Sequence, residues 1–206
     1  MGRATGHSHS GIEAAALRAV LLDAAEYRPP GTAEPRAAVA AVFGPGPADT
    51  ELLFIQRATR IGDPWSGHMA FPGGRAEDGD RDSFRTAERE TVEEVGLDLG
   101  PARRLGSLTD VDGGRATNRL VTVSGHCYWM SGDRPELTLN EEVAAVTWVS
   151  LRDLLDRDRY IDYWYPPSQS SFPGIQLDDE GQVIWGLTLR FLADLFRRLD
   201  RPFIID

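Results

Sequence analysis

The chain has 206 residues and a formal net charge of -10, enough length for one well-buried domain with extra terminal elements and too little for two ordinary ones. So acidic a protein offers no basic surface to neutralise a nucleic-acid backbone, which argues against DNA or RNA as partner and toward small molecules. An anionic small molecule would need local compensation, from arginines lining a cleft or from metal ions carried with it.

The first ten residues, MGRATGHSHS, lack the apolar core of a signal peptide, and no later run approaches the roughly 18 apolar residues of a membrane span. This points to a cytosolic protein without membrane contact, with residues 1–10 a disordered tail and residues 11–206 a single domain. Ser10 and Glu13 form a capping-box pattern, and Ile12, Leu17, Val20, Leu21 and Ala24 recur at helical spacing until Pro29 and Pro30. After a Pro/Gly/Ala-rich linker, residues 37–43 and 52–56 read as strands joined by a hairpin-like GPGPADT turn. Residues 68–71 suggest a short strand stopped by Pro72-Gly73-Gly74, and a helical pattern runs from 83 to 95 before Gly96.

Downstream, residues 120–130 and 143–149 are rich in β-branched and aromatic residues, as strands should be, and 105–109 is a weaker candidate. The single cysteine, Cys127, cannot form an internal disulfide and behaves in such a strand as a small apolar residue. Residues 151–155 read as a short helix, 160–173 as an aromatic loop, and 184–199 as an amphipathic helix carrying Trp185, Leu189, Leu192, Leu195 and Phe196. There is no internal repeat. Strands before and after a central helix, with helices at both ends, predict an α+β fold, an α/β/α sandwich with a mixed β-sheet between helices.

The chemically informative segment is FPGGRAEDGDRDSFRTAERETVEEVGL, residues 71–97, which contains the string RExxEExG from Arg89 to Gly96. At about 100° per residue, Glu90, Glu93 and Glu94 share one sector of the helix, while Phe84, Ala87, Thr91 and Val95 occupy another. Three carboxylates at i, i+3 and i+4 repel one another, and they sit near the helix's partially negative C-terminal end. A divalent cation reverses that argument, because hard Mg2+ prefers oxygen ligands, keeps several waters and is completed by substrate phosphates. Arg89 pairs with Glu93 four residues on, limiting the repulsion and fixing that side chain's direction. The bland alternative is a solvated charged face. Five fixed positions of this kind arise by chance in about one chain of this length per several thousand, which favours the metal reading. Gly73-Gly74 is either a plain turn or a close approach of backbone to ligand whose free carbonyl joins metal coordination.

These residues resemble the Nudix box, in which a glycine is followed six positions later by a glutamate and then by REUxEExGU, U being apolar. Gly74 and RExxEExG match. The spacing before Arg89 is one residue longer here, Asp80 stands for the early glutamate, and Thr91 replaces the apolar residue. The longer spacing, FPGG, Asp80 and Trp185-Gly186-Leu187-Thr188 are similar to the coenzyme A diphosphatase subfamily, over roughly residues 36–199. Departures from that pattern are Phe54 after Leu52-Leu53, and Asp63 where an arginine is expected.

The resemblance implies metal-dependent hydrolysis of a diphosphate linkage in a nucleotide-containing small molecule, with Mg2+ or Mn2+ as cofactor. Glu90 and Glu94 are then the implied metal ligands, Glu93 a further ligand or the group that orients water, and Gly73 a carbonyl ligand. Glu142, in the turn before a strand, is either a general base reaching the cleft or an exposed turn residue. Arg57, Arg60, His68 and Gly74 flank the implied cleft, where the arginines suit phosphate through bidentate contacts. Trp65, Tyr163, Trp164, Tyr165 and Phe172 either stack on a base, close over pantetheine, or simply pack. Coenzyme A or acyl-CoA, hydrolysed to 3',5'-ADP and the (acyl-)4'-phosphopantetheine, is the implied substrate; ADP-ribose, dinucleotides and nucleoside triphosphates are alternatives. A non-catalytic nucleotide sensor is a reading of another class, disfavoured because all three carboxylates are present. A homodimer is compatible with the sequence.

Overall fold

The computed structural model describes residues 12–22, 36–63, 65–113, 121–179 and 181–205. Strand β1, Arg36–Pro45, is the axis of an eight-stranded mixed sheet. It runs parallel to β7, Val121–Trp129, in register from Arg36↔Thr122 to Phe43↔Trp129. On its other edge two antiparallel partners divide it. Strand β2, Thr50–Arg57, pairs with its last residues, and β4, Gly73–Arg75, pairs with Ala37, Ala38 and Val39. The β2 strand also carries β3, Met69–Ala70, and β8, Val143–Ser150, while β7 carries β5, Arg103–Ser107, and β6, Val111–Gly113.

Alternation along the strands builds a core on each face, because successive side chains point to opposite sides of a sheet. Ala41 and Phe43 of β1, Leu52 and Phe54 of β2 and Cys127 of β7 meet helix α1, Ala14–Val20, through Leu17, and α4, Gly186–Arg198, through Leu192, Leu195 and Phe196. Ala38, Ala40, Val42, Leu53, Ile55 and Tyr128 face the other way and meet α2, Ser83–Val95, through Phe84, Ala87 and Val95. The predicted α+β sandwich, a mixed sheet between helices, is the fold observed. Cys127 is fully buried and unpaired, and burial pushes its thiol pKa far up. Among the described residues no helix is long and apolar enough to cross a membrane.

The central helix begins and ends where its sequence says. Asp82 accepts the Arg85 N–H at 2.9 Å, and Gly96 closes the helix in the left-handed conformation, φ 69°, that favours glycine. Other predicted elements need correction. The first helix is only Ala14–Val20, because Leu22 leaves it to bridge Ser107 of β5; Ser10, Ala24, Pro29 and Pro30, like the predicted tail, lie outside the described residues. Gly73 and Gly74 do not end a strand but begin β4, lying in antiparallel register with Val39 and Ala38 of β1. The aromatic stretch is not a loop: β9, Tyr160–Tyr165, and β10, Ser170–Gln176, form an antiparallel hairpin, joined by β11, Val183–Trp185. Trp185 therefore belongs to a strand, and α4 starts one residue later. Residues 160–165 are rich in the aromatic side chains that strands favour, but they become a strand only by pairing with β10.

Candidate functional site

A cavity of about 540 Å³ opens where β1, β3, β4, β7, the C-terminal half of α2 and the start of α4 come together. Its lining is mixed: Arg57, His68, Glu90, Glu94 and Glu142 contribute polar or charged side chains, and Val39, Val121, Val123, Leu187 and Phe191 contribute apolar ones. Trp185, Gly186, Leu187 and Thr188 all line it, so the segment singled out by its sequence pattern is where β11 gives way to α4.

The three helix glutamates have different fates. Glu94 is buried, 2% exposed, and accepts the Gly73 N–H at 2.8 Å. Burial raises its pKa to about 7, opposed by the Gly73 hydrogen bond and by Arg57, and reinforced by the negative charges of Glu90 and Glu142. Glu90 also has a raised pKa, from burial first and then from Glu93 and Glu142, against the pull of Arg89. Gly74 gives Glu90 its room: a Cβ there would stand 2.5 Å from the Glu90 carboxylate. Glu93 does not line the cavity. It is half exposed and pairs with Arg89 at 3.0 Å.

Arg89 is the organiser of this helix face. Its guanidinium reaches Glu90 and Glu93 at 3.0 Å, the Arg75 carbonyl at 2.8 Å and Asp80 at 3.0 Å. Asp80 also accepts the Thr86 hydroxyl and the Glu77 N–H, and the arginine holds its carboxyl below the usual range. Asp80 therefore anchors the loop before α2 to Arg89, which the longer spacing between them accommodates.

Glu142 arrives from the turn before β8, its side chain bound to Arg60 at 3.0 Å. Arg60 itself is outside the cavity wall, paired with both Glu141 and Glu142. Arg57 and His68 do line the cavity, and Arg57 is paired with Asp63 at 3.1 Å. Burial depresses the His68 pKa to about 4, so its ring is neutral at neutral pH; it packs edge-on against Trp185 and Tyr165. Tyr163, Tyr165 and Phe172 cluster on Trp185 rather than line the cavity, and Trp164 is exposed. The features missed in the sequence are the Asp63 pair and the apolar lining of the cavity. Asp63 was visible only as a departure from a pattern, and Val121, Val123 and Phe191 carried no signal beyond that of ordinary core residues.

Among the described residues no three acidic, histidine or cysteine side chains already form a metal-holding cluster. The donor set nevertheless fits a hard divalent cation: all its side-chain donors are carboxylate oxygens, the charge of Glu142 raises the pKa of Glu90 and of Glu94, Glu90 raises that of Glu94 too, and a positive charge would relieve that repulsion. Such a cation takes its remaining oxygens from water and phosphate.

A mixed-sheet sandwich with an acidic helix end facing a cavity defines a class, and the comparisons name it. The NUDIX domain model matches residues 34–167, and the chain belongs to the Nudix family. A Nudix hydrolase of Yersinia enterocolitica, itself uncharacterized, is 31% identical over 152 residues, 72% of this chain and 71% of that one. The mitochondrial coenzyme A diphosphatase of Mus musculus is 36% identical over 105 residues, covering 50% of this chain and 49% of that protein. An uncharacterized protein of Schizosaccharomyces pombe is 33% identical over 150 residues, 70% of this chain and 41% of that one. The chain spans about half the length of these last two. Among solved structures, a MutT protein from Methanosarcina mazei shares the fold with TM-score 0.50 and 17% identity, over 81% of this chain and 92% of that one.

Proposed function

We propose that this chain is a divalent-cation-dependent hydrolase that cleaves the diphosphate linkage of a nucleoside diphosphate-linked small molecule. Its substrate is coenzyme A or acyl-CoA, and its products are 3',5'-ADP and the (acyl-)4'-phosphopantetheine. The observation that carries the reading is the gathering of Glu90, Glu94 and Glu142 with Arg57 around one cavity that apolar side chains also line. A diphosphate with an uncharged arm matches that mixed lining. The similarity to a mouse coenzyme A diphosphatase and the FPGG and WGLT segments support the choice of substrate.

Glu90, Glu94 and the Gly73 carbonyl would hold Mg2+ or Mn2+. When bound, the cation supplies neutralisation of phosphoryl oxygens and acidification of a coordinated water. Glu142 takes the proton of the attacking water, and Arg57 receives a phosphoryl oxygen through its planar fork. Glu93 holds Arg89, and through it the direction of Glu90. Arg60 keeps the Glu142 turn in place. Neutral His68 contributes a ring wall rather than a charge.

The test is a panel of coenzyme A, ADP-ribose, NADH, diadenosine polyphosphates and nucleoside triphosphates, each incubated with protein and Mg2+ and followed chromatographically. Turnover of coenzyme A ahead of the others is expected, and no turnover anywhere would sink the enzyme reading. Glu94→Gln is expected to lose more than about tenfold in cation affinity and at least as much in rate. Full cation-dependent activity in that variant defeats the assigned metal site while leaving the reaction intact.

A further inference from the structure

Asp63 stands where the coenzyme A diphosphatase pattern has an arginine, and the structure gives its charge a partner. Its Oδ2 receives an N–H of the Arg57 guanidinium at 3.1 Å. Its other oxygen accepts the Trp65 N–H at 3.0 Å. The segment between them returns to its own start: Asp63 donates its N–H to the Arg60 carbonyl, Gly67 to the Arg57 carbonyl, and Arg57 to the His68 carbonyl. The backbone thus brings Asp63 back across from the arginine at the end of β2.

Arg57 is also incompletely satisfied. Its Nε is buried and has no hydrogen-bond partner among the described residues, although the residue lines the cavity. A guanidinium has five N–H donors in a rigid fork that fits phosphate oxygens in pairs. The Arg57 Nη2 is held by Asp63, and the part-exposed remainder of the fork, on a residue that lines the cavity, is placed to meet an acceptor that arrives from outside the protein. The cation–carboxylate pair supplies what a long side chain otherwise lacks. Arginine loses much rotamer freedom on binding, and a partner that fixes it beforehand removes that cost from the binding step.

We propose that Asp63 is a positioning residue that holds the Arg57 guanidinium at the cavity wall, leaving its remaining N–H donors to a phosphoryl oxygen of the substrate. The inference rests on the reading of the cavity as a diphosphate site. Under it, Asp63 strengthens phosphate binding without touching the substrate, even though its own charge is negative.

The experiment measures binding of ADP in the presence of Mg2+ by calorimetry, and kcat and KM on whichever panel substrate is turned over. Asp63→Asn keeps an oxygen for the Trp65 N–H while removing the charge; Asp63→Ser, which also offers an oxygen there, serves if the asparagine variant does not fold. The expected result is about a tenfold loss of ADP affinity and a similar rise in KM, with kcat changed less than about twofold. Asp63→Glu should recover part of the loss. In an Arg57→Ala background the Asp63 substitution should have no further effect, whereas a merely structural role would show the same loss in both backgrounds. Unchanged or tighter ADP binding in Asp63→Asn overturns the inference, as does an equal loss in the Arg57→Ala background. Wild-type protein that binds no ADP and turns over nothing overturns the diphosphate reading and this inference together.

Discussion

Replacing Gly74 with alanine separates what holds the protein together from what the cavity needs. The new Cβ would lie 2.5 Å from Cδ and Oε1 of Glu90 and 2.6 Å from Oε2, against an ordinary contact of about 3.5 Å. The carboxylate must therefore retreat by about 1 Å. Gly74 does not have a left-handed backbone, so alanine is not strained there and gains about 0.4–1 kcal/mol by restricting the unfolded chain. Displacing the Glu90 side chain from its rotamer costs about as much. Stability should change by less than about 1 kcal/mol, a melting shift of roughly 2–4 °C or less for a chain of this size. Activity has no such offset, because a misplacement of about 1 Å at a reacting centre costs on the order of a hundredfold in rate. Thermal unfolding, Mn2+ binding and Mg2+-dependent kcat measured on the same preparation should show a folded protein with weakened cation binding and a rate down about a hundredfold. Wild-type rate and Mn2+ affinity in Gly74→Ala would refute the role given to Glu90. Loss of the fold would refute the argument that only a flexible carboxylate stands in the way.

Two further predictions concern stability. His126 is buried, stacked on Phe84, and hydrogen-bonded between Nδ1 and the Ser107 hydroxyl and between Nε2 and the Ser83 hydroxyl, each at 2.8 Å, one ring nitrogen donating and the other accepting; burial lowers its pKa to about 3, opposed by Asp82 and reinforced by Arg104. Because the folded value lies below the unfolded one, the unfolded chain takes up the proton first. The contribution is full above about pH 6.5 and drains as pH falls toward 3, reaching a loss of about 2 kcal/mol by pH 5. Urea denaturation between pH 5 and about 7 should show a shallower pH dependence in His126→Gln than in wild type, and equal slopes would contradict the assignment. Leu195→Ala removes a fully buried side chain from the α4 side of the core and should cost about 2–5 kcal/mol by the same measurement; a loss under about 1 kcal/mol would mean that α4 is not packed as described.

Much of the fold was legible because its signals are local. The period of α2 and its terminal glycine are set by neighbours within a few residues, and the observed bounds, Ser83–Val95, are those of the pattern. The sheet strands rich in β-branched residues were legible for the same reason. Where an element depended on a distant partner, local reading failed. Gly73 and Gly74 carry every mark of a turn, yet the free edge of β1 makes them a strand. The 160–176 hairpin was hidden because β9 needs β10 to be a strand at all.

The candidate site divides in the same way. The sequence by itself determined that Glu90, Glu93 and Glu94 share one side of a helix, because helical geometry fixes i, i+3 and i+4 on one face. It could not say which of them meets the cavity, since that depends on how α2 is rotated against β1 and β4. Only the tertiary structure decided that Glu94 is buried on the Gly73 N–H, that Glu90 occupies the space Gly74 leaves, and that Glu93 turns to Arg89. It alone brought Glu142 from a distant turn to the same cavity and set Asp63 against Arg57, because both juxtapositions arise from strand pairing and loop return rather than from spacing along the chain.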